Sequence, residues 1–177
     1  MRRIFLATLL SLTAVHGIAQ PLDQHRILNH LDNYGNLDLR NKPYSELPSG
    51  LVVKGNLNIA KTTIKKLPAG VEILGSLEAS NSELKSLGKG VSIKGYANLL
   101  GSKITRWPSK IKLGGYLNLT DTPLTSLPPR LRVKGDLSVI RTPLAALPEG
   151  LTVDGNLYIG GSALTEFPDT MTVKGNI

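Results

Sequence analysis

The side chains equipped for proton transfer or metal binding are few and poorly matched. His25 and His30 stand five residues apart, whereas two imidazoles that share a metal on one helix face need a spacing of four. They read as ordinary surface histidines. The carboxylates of Asp121, Asp136, Glu149 and Asp154 fall in different registers of the chain and never pair at a fixed offset. Asp136 and Asp154 alone can approach across neighbouring turns, as a glycan-cleaving solenoid would want, but no arginine column accompanies them. No glycine-rich phosphate loop follows a strand. Cysteine is absent, which removes thiol nucleophiles, disulfides and a lipid-bearing cysteine. Neither an enzyme nor a cofactor nor a metal is expected.

Adhesive side chains are better represented. Tyr96, Asn98, Leu100, Tyr116, Asn118, Thr120, Ile140 and Tyr158 gather apolar and aromatic groups among amides, a composition suited to holding a protein or a glycan. The bland alternative is that Tyr96 and Tyr116 stack on each other as sheet neighbours do. Basic residues form a second set. Lys54, Lys94, Lys134 and Lys174 recur at intervals of forty, and Lys112 and Arg132 precede that position by two in their own turns. Such a stripe suits a polyanion, an anionic surface or an acidic partner. It also suits a solvated face that resists edge pairing, because Glu72 and Asp154 interrupt it. The chain carries 21 basic and 13 acidic side chains, a formal net charge of +8, which favours anionic partners in general. Nucleic acid is not expected, because aromatic and basic residues do not interleave.

All these residues sit in a repeat. From Leu47 the chain reads LPSGLVVKGNLNIAKTTIKK, LPAGVEILGSLEASNSELKS and onward in steps of twenty, ending in the partial unit FPDTMTVKGNI, with YGNLDLRNKPYSE from Tyr34 in the same register. No insertion interrupts it. Such a period marks a solenoid, in which each unit buries its apolar face only against its neighbours. Leu57, Leu77, Leu117, Leu137 and Leu157 form one apolar column, with Ala97 as its small exception, and Ile59, Leu99, Leu119, Val139 and Ile159 form the next. Val71, Val91, Ile111 and Leu131 lead a third column, and Val53, Ile73, Ile93 and Leu113 a fourth. Alternation with period two predicts short strands with one buried face. Glycine at 55, 75, 95, 115, 135, 155 and 175 falls in the inward phase and predicts a corner between two strands. Proline at 48, 68, 108, 128, 148 and 168 predicts a turn, with Gly50, Gly70, Gly90 and Gly150 as left-handed residues two positions on. Thr62, Ser82, Ser102, Thr122, Thr142 and Ser162 predict a third bend whose backbone groups the hydroxyls satisfy.

The run L-x-I-x-x-T-x-I-x-x-L-P, seen at Leu57, Ile59, Thr62, Ile64, Leu67 and Pro68, resembles the leucine-rich-repeat family in its short bacterial form. The resemblance covers residues 34 to 177. The family places asparagine where this chain has Thr or Ser, and its opposite side is usually helical or irregular rather than L-x-V. The expected fold is therefore a flatter, strand-rich array of about seven twenty-residue coils with parallel ladders. The resemblance implies a binding face made by the outward positions 56, 58 and 60 and their copies. Some short-repeat relatives carry a ubiquitin-ligase domain that uses a cysteine; this chain has no cysteine, and that activity does not carry over.

Met1-Arg2-Arg3, the apolar run Ile4 to Val15, and small residues at Gly17 and Ala19 predict a secretory signal peptide over 1–19, cleaved before Gln20. Twelve apolar residues are too few to span a membrane, and no second run exists. The product is expected to be exported, periplasmic or secreted. Residues 20–33 are expected to form a cap, with an amphipathic helix from Pro21 to Leu31 that turns Leu22, Ile27, Leu28 and Leu31 inward. At the other end Ile177 falls at a buried strand position. An open coil there would offer unpaired strand groups to a second copy. The function expected is a non-enzymatic scaffold that binds protein, or less readily glycan, on its strand face. The alternative is a structural or envelope-associated protein that assembles through that edge.

Overall fold

The structure is a computed structural model and describes residues 20–177. The expected signal peptide lies outside the described residues. The chain forms a parallel β-solenoid of about eight turns with almost no helix. Most strands are two residues long and pair in parallel with the one twenty residues on, so that Leu57 lies against Leu77 and Leu117 against Leu137. Leu37–Asp38, Leu57–Asn58, Leu77–Glu78, Ala97–Asn98, Leu117–Asn118, Leu137–Ser138 and Leu157–Tyr158 form one continuous seven-stranded sheet. Its inward residues are fully buried as far as Leu137. A second face is built from the L-x-V segments, and a shorter ladder pairs Lys66–Leu67 with Ser86–Leu87. One apolar cluster runs through the array from Leu22 to Leu157.

The glycine corner exists, but for a different reason from the expected one. The chain bends at Lys54-Gly55 and its copies. At Gly75 the missing Cβ would point along the array into the preceding coil, 2.7 Å from the Gly55 carbonyl and closer still to Asn56 Oδ1. Glycine is required there by the approach of the neighbouring coil. What occupies that space is a ladder. Asn36 Oδ1 accepts the N–H of Asn56 at 2.7 Å, Asn56 Oδ1 that of Ser76 at 2.7 Å, and Ser76 Oγ that of Tyr96 at 3.2 Å. Each step satisfies a backbone donor that the corner would otherwise orphan.

The proline corner follows expectation. Gly50, Gly70, Gly90 and Gly150 have φ between +68° and +77°, and Lys110 and Arg130 adopt the same left-handed conformation in two coils that lack glycine there. Gly88 stands where other coils have proline. Its N–H donates to the Leu67 carbonyl at 2.7 Å, which proline could not do. The third bend has its own left-handed column, at Asn41, Lys61, Asn81, Gly101, Asp121, Arg141 and Gly161. Its hydroxyls act within their own coils: Thr62 donates to the Ile59 carbonyl, Ser82 to Ala79, Thr122 to Leu119 and Thr142 to Val139, all at 2.7 to 2.8 Å. Ser102 Oγ is buried without a hydrogen-bond partner.

The N-terminal cap is less helical than expected. Gln20–Pro21 is a strand paired with Tyr44–Glu46, and the α-helix is a single turn, Gln24–Ile27, continued as a 3₁₀ turn over Leu28–His30. Asp23 caps it, its carboxylate accepting the Arg26 N–H at 2.8 Å. Pro21 is therefore ahead of the helix and not in its first turn. Leu22 and Ile27 are buried, whereas Leu28 and Leu31 are exposed, because one turn cannot carry four apolar residues to one side.

Candidate functional site

Tyr96 and Tyr116 follow the corner glycines of adjacent coils, and the parallel ladder sets them side by side. Their rings stack with centroids 4.5 Å apart and planes 6° from parallel. Tyr116 remains 38% exposed. The expected neighbours are less free than their residue types suggest. Asn118 Nδ2 donates to Asn98 Oδ1 at 3.0 Å, and Asn98 Nδ2 donates to Glu78 Oε2 at 2.8 Å, so a polar ladder runs along the outer side of the sheet. Asn98 and Asn118 also accept the N–H of Leu100 and Thr120 within their own coils. Thr120 is buried and bonds Ser138 Oγ at 2.7 Å; Leu100 and Ile140 are half-buried. Tyr158 is exposed, but it belongs to the next column over and lies two coils from Tyr116. The structure thus joins Tyr96, Asn98, Tyr116 and Asn118 and leaves Tyr158 apart.

The Tyr116 phenol is held above its ordinary pKa, first by burial and then by the Tyr96 phenol and the Glu78 carboxylate beside it. Ionised Tyr116 is disfavoured in the fold. Its contribution to stability is therefore full below about pH 10 and is lost as the pH rises through the raised folded value. A tyrosinate absorbance titration is expected to show one late-ionising phenol that disappears in Tyr116→Phe. Glu78→Gln is expected to shift it downward; an unchanged curve in Tyr116→Phe would assign the late phenol elsewhere.

The same two tyrosines interrupt the ladder that joins the coils. A phenol cannot accept the next N–H as Asn56 does, and the ladder resumes only where Asp136 Oδ1 accepts the Asn156 N–H at 2.7 Å. Corner glycines are bonded in series from Gly35 to Gly95 and again from Gly135 to Gly175, with no such bond across Gly115 among the described residues. The second face splits at the same place. Val52–Val53, Glu72–Ile73, Ser92–Ile93 and Lys112–Leu113 form one sheet, while Arg132–Val133, Thr152–Val153 and Thr172–Val173 form another. At this seam lies a cleft of about 410 Å³ floored by Ile93, Ile111 and Leu113 and edged by Lys94, Lys112, Arg132 and Lys134.

The expected basic stripe is thus not uniform. Lys54 is outside the cleft, separated from Lys94 by the coil that carries the exposed Leu74. The feature that sequence reasoning missed is the seam. Its trace in the sequence is the doublet Gly114-Gly115 in place of Lys-Gly, next to two successive tyrosines in a column otherwise filled by Asn, Ser and Asp.

Other polar groups are occupied within the fold. His30 Nε2 lies 2.8 Å from Tyr44 Oη. Asp136 serves the ladder, and Asp154 is paired with Lys174 at 2.7 Å and Arg132 at 2.9 Å, which in that order hold its carboxyl below the usual range. Asp121 is paired with Arg141. The larger cleft beside Ser45, Leu47 and Pro68, of about 620 Å³, mixes Glu46 with Lys65 and Lys66 and converges on no single chemistry. Among the described residues no three His, Cys, Asp or Glu side chains gather as a metal site would require, and no helix is long and apolar enough to cross a membrane.

Fold and surface together define a strand-rich parallel β-solenoid, interrupted at one seam by a tyrosine pair on one side of the corner and a cationic cleft on the other. Comparison with protein families, with curated proteins and with solved structures finds no match for this chain.

Proposed function

We propose that the protein is an exported, non-enzymatic scaffold of leucine-rich-repeat type that binds a protein partner on its seven-stranded face, centred on Tyr96 and Tyr116. The observation that carries this reading is that Tyr116 stays exposed although it stacks on Tyr96, on a face whose other polar groups largely hydrogen-bond one another. A ladder that fixes its own amides is pre-organised, so a partner would bear little ordering cost on binding it. Each ring gives one face to the other, which reduces the ring face open to a ligand. Edges and hydroxyls suit peptide groups and aromatic side chains; a sugar that stacks on tyrosine needs an open ring face, which places glycan second. The basic start, apolar run and small residues of 1–19 support export.

Affinity capture from envelope and culture fractions, followed by titration of the recovered partner, tests the reading. Saturable binding is expected, weakened about 30-fold or more in Tyr96→Ser/Tyr116→Ser, the loss of a central hot spot. The circular dichroism of that variant should match the parent. Equal binding by the folded variant would remove the tyrosine face from the account, and binding to a glycan panel alone would reverse the order of ligands.

A further inference from the structure

We propose that the seam cleft is a binding site for a compact phosphorylated saccharide, with Lys94, Lys112, Arg132 and Lys134 holding its phosphate. This surface lies across the corner from the tyrosine pair and stands whether or not that face binds a protein. The four cations come from three successive coils and therefore fall within about 10 Å along the array. On the coils outside the cleft the equivalent positions hold two further cations, Lys54 and Lys174, which stand singly, and Lys174 is paired with Asp154. Arg132 is paired with Asp154, whereas Lys94, Lys112 and Lys134 have no ion-pair partner among the described residues.

The backbone makes the room. Gly114 replaces the side chain that would otherwise stand between Lys94 and Lys134, and a Cβ there would run into the Lys94 carbonyl. Thr152 and Asp154 donate their N–H groups to the preceding coil, but Arg132 and Lys134 make no such bond to Ile111 and Leu113. The opening thus offers donors to an anion and carbonyl acceptors to hydroxyls, and a sugar phosphate supplies both partners. A phosphate monoester carries close to two charges and three acceptor oxygens, a better match to three unpaired ammonium groups than a carboxylate. Glu72 and Asp154 stand on the coils at either end of the cleft, one of them paired, and disfavour an extended polyanion that would run past them.

Titration calorimetry of the full protein with glucose 1,6-bisphosphate tests the assignment, with Lys94→Gln/Lys134→Gln compared against Lys54→Gln/Lys65→Gln. The two double variants lose the same charge from exposed positions, so net charge cannot distinguish them. One-to-one binding is expected, weakened about tenfold or more in the first and within about twofold of the parent in the second. A parallel arm uses phosphatidylcholine vesicles with and without phosphatidylinositol 4-phosphate. Binding of the free bisphosphate assigns the site to a soluble sugar phosphate. Binding of the doped vesicles alone, with the same dependence on Lys94 and Lys134, assigns it to the phosphorylated polyol headgroup of a lipid. Equal weakening in both double variants, or no binding of either probe, overturns the proposal.

Discussion

Replacing Trp107 by alanine is expected to cost about 4 kcal/mol and to break the array into two unfolding units. Trp107 is 3% exposed and occupies the position that leucine holds at 47, 67, 87, 127 and 147. It is the only tryptophan in the chain, and it opens the coil that contains Gly114, where backbone bonds between coils are already missing. In a solenoid the free energy is close to a sum of coil stabilities and nearest-neighbour contacts. Truncating the largest side chain beside the weakest ladder therefore removes coupling as well as burial. Urea denaturation followed by far-ultraviolet circular dichroism should show a lower midpoint and either two transitions or a reduced slope. Trp107→Leu, which restores the residue of the column, should recover a large part of the loss. A single transition at the parent midpoint would show that the coil does not depend on the indole.

Gly75→Val is expected to destabilise by about 3 kcal/mol, the sum of overpacking and a lost hydrogen bond. A Cβ at this position meets the Gly55 carbonyl backbone at 2.7 Å, which cannot swing aside, and displaces Asn56 from the Ser76 N–H. The contrast is Gly50, where φ is +68° and no atom lies within 4 Å of an added Cβ. Gly50→Ala incurs only the left-handed backbone penalty, about 1 kcal/mol. The two glycines look alike in the sequence and serve different needs, one for neighbouring chain and one for φ. Denaturation midpoints should rank Gly75→Val well below Gly50→Ala, and the reverse order would refute the close-approach account of the corner.

Much of the fold was legible because the repeat is uninterrupted. Leu57, Ile59, Ile64 and Leu67 recur with fixed spacing, and burial follows that spacing wherever a coil has neighbours on both sides. The site was legible only in its parts. Tyr96 and Tyr116 were found by type, and their stacking followed from the period. Asn98 and Asn118 looked free and are largely committed to the sheet, since a side chain one coil away is in reach of each amide. Lys54 belonged to the stripe by register yet not to the cleft, because the stripe gains depth only where the sheet opens.

The sequence by itself determined the period, the parallel register, the buried columns and the places where each coil turns. Those properties depend on the alternation of polar and apolar residues along one coil and on the absence of insertions between coils. Only the tertiary structure decided why glycine is required at the corner, which amides are consumed in ladders, how short the capping helix is, and where the array opens into a cationic cleft. Each of these is set by atoms twenty residues apart that meet at hydrogen-bonding distance, and residue identity alone does not say which way such atoms point.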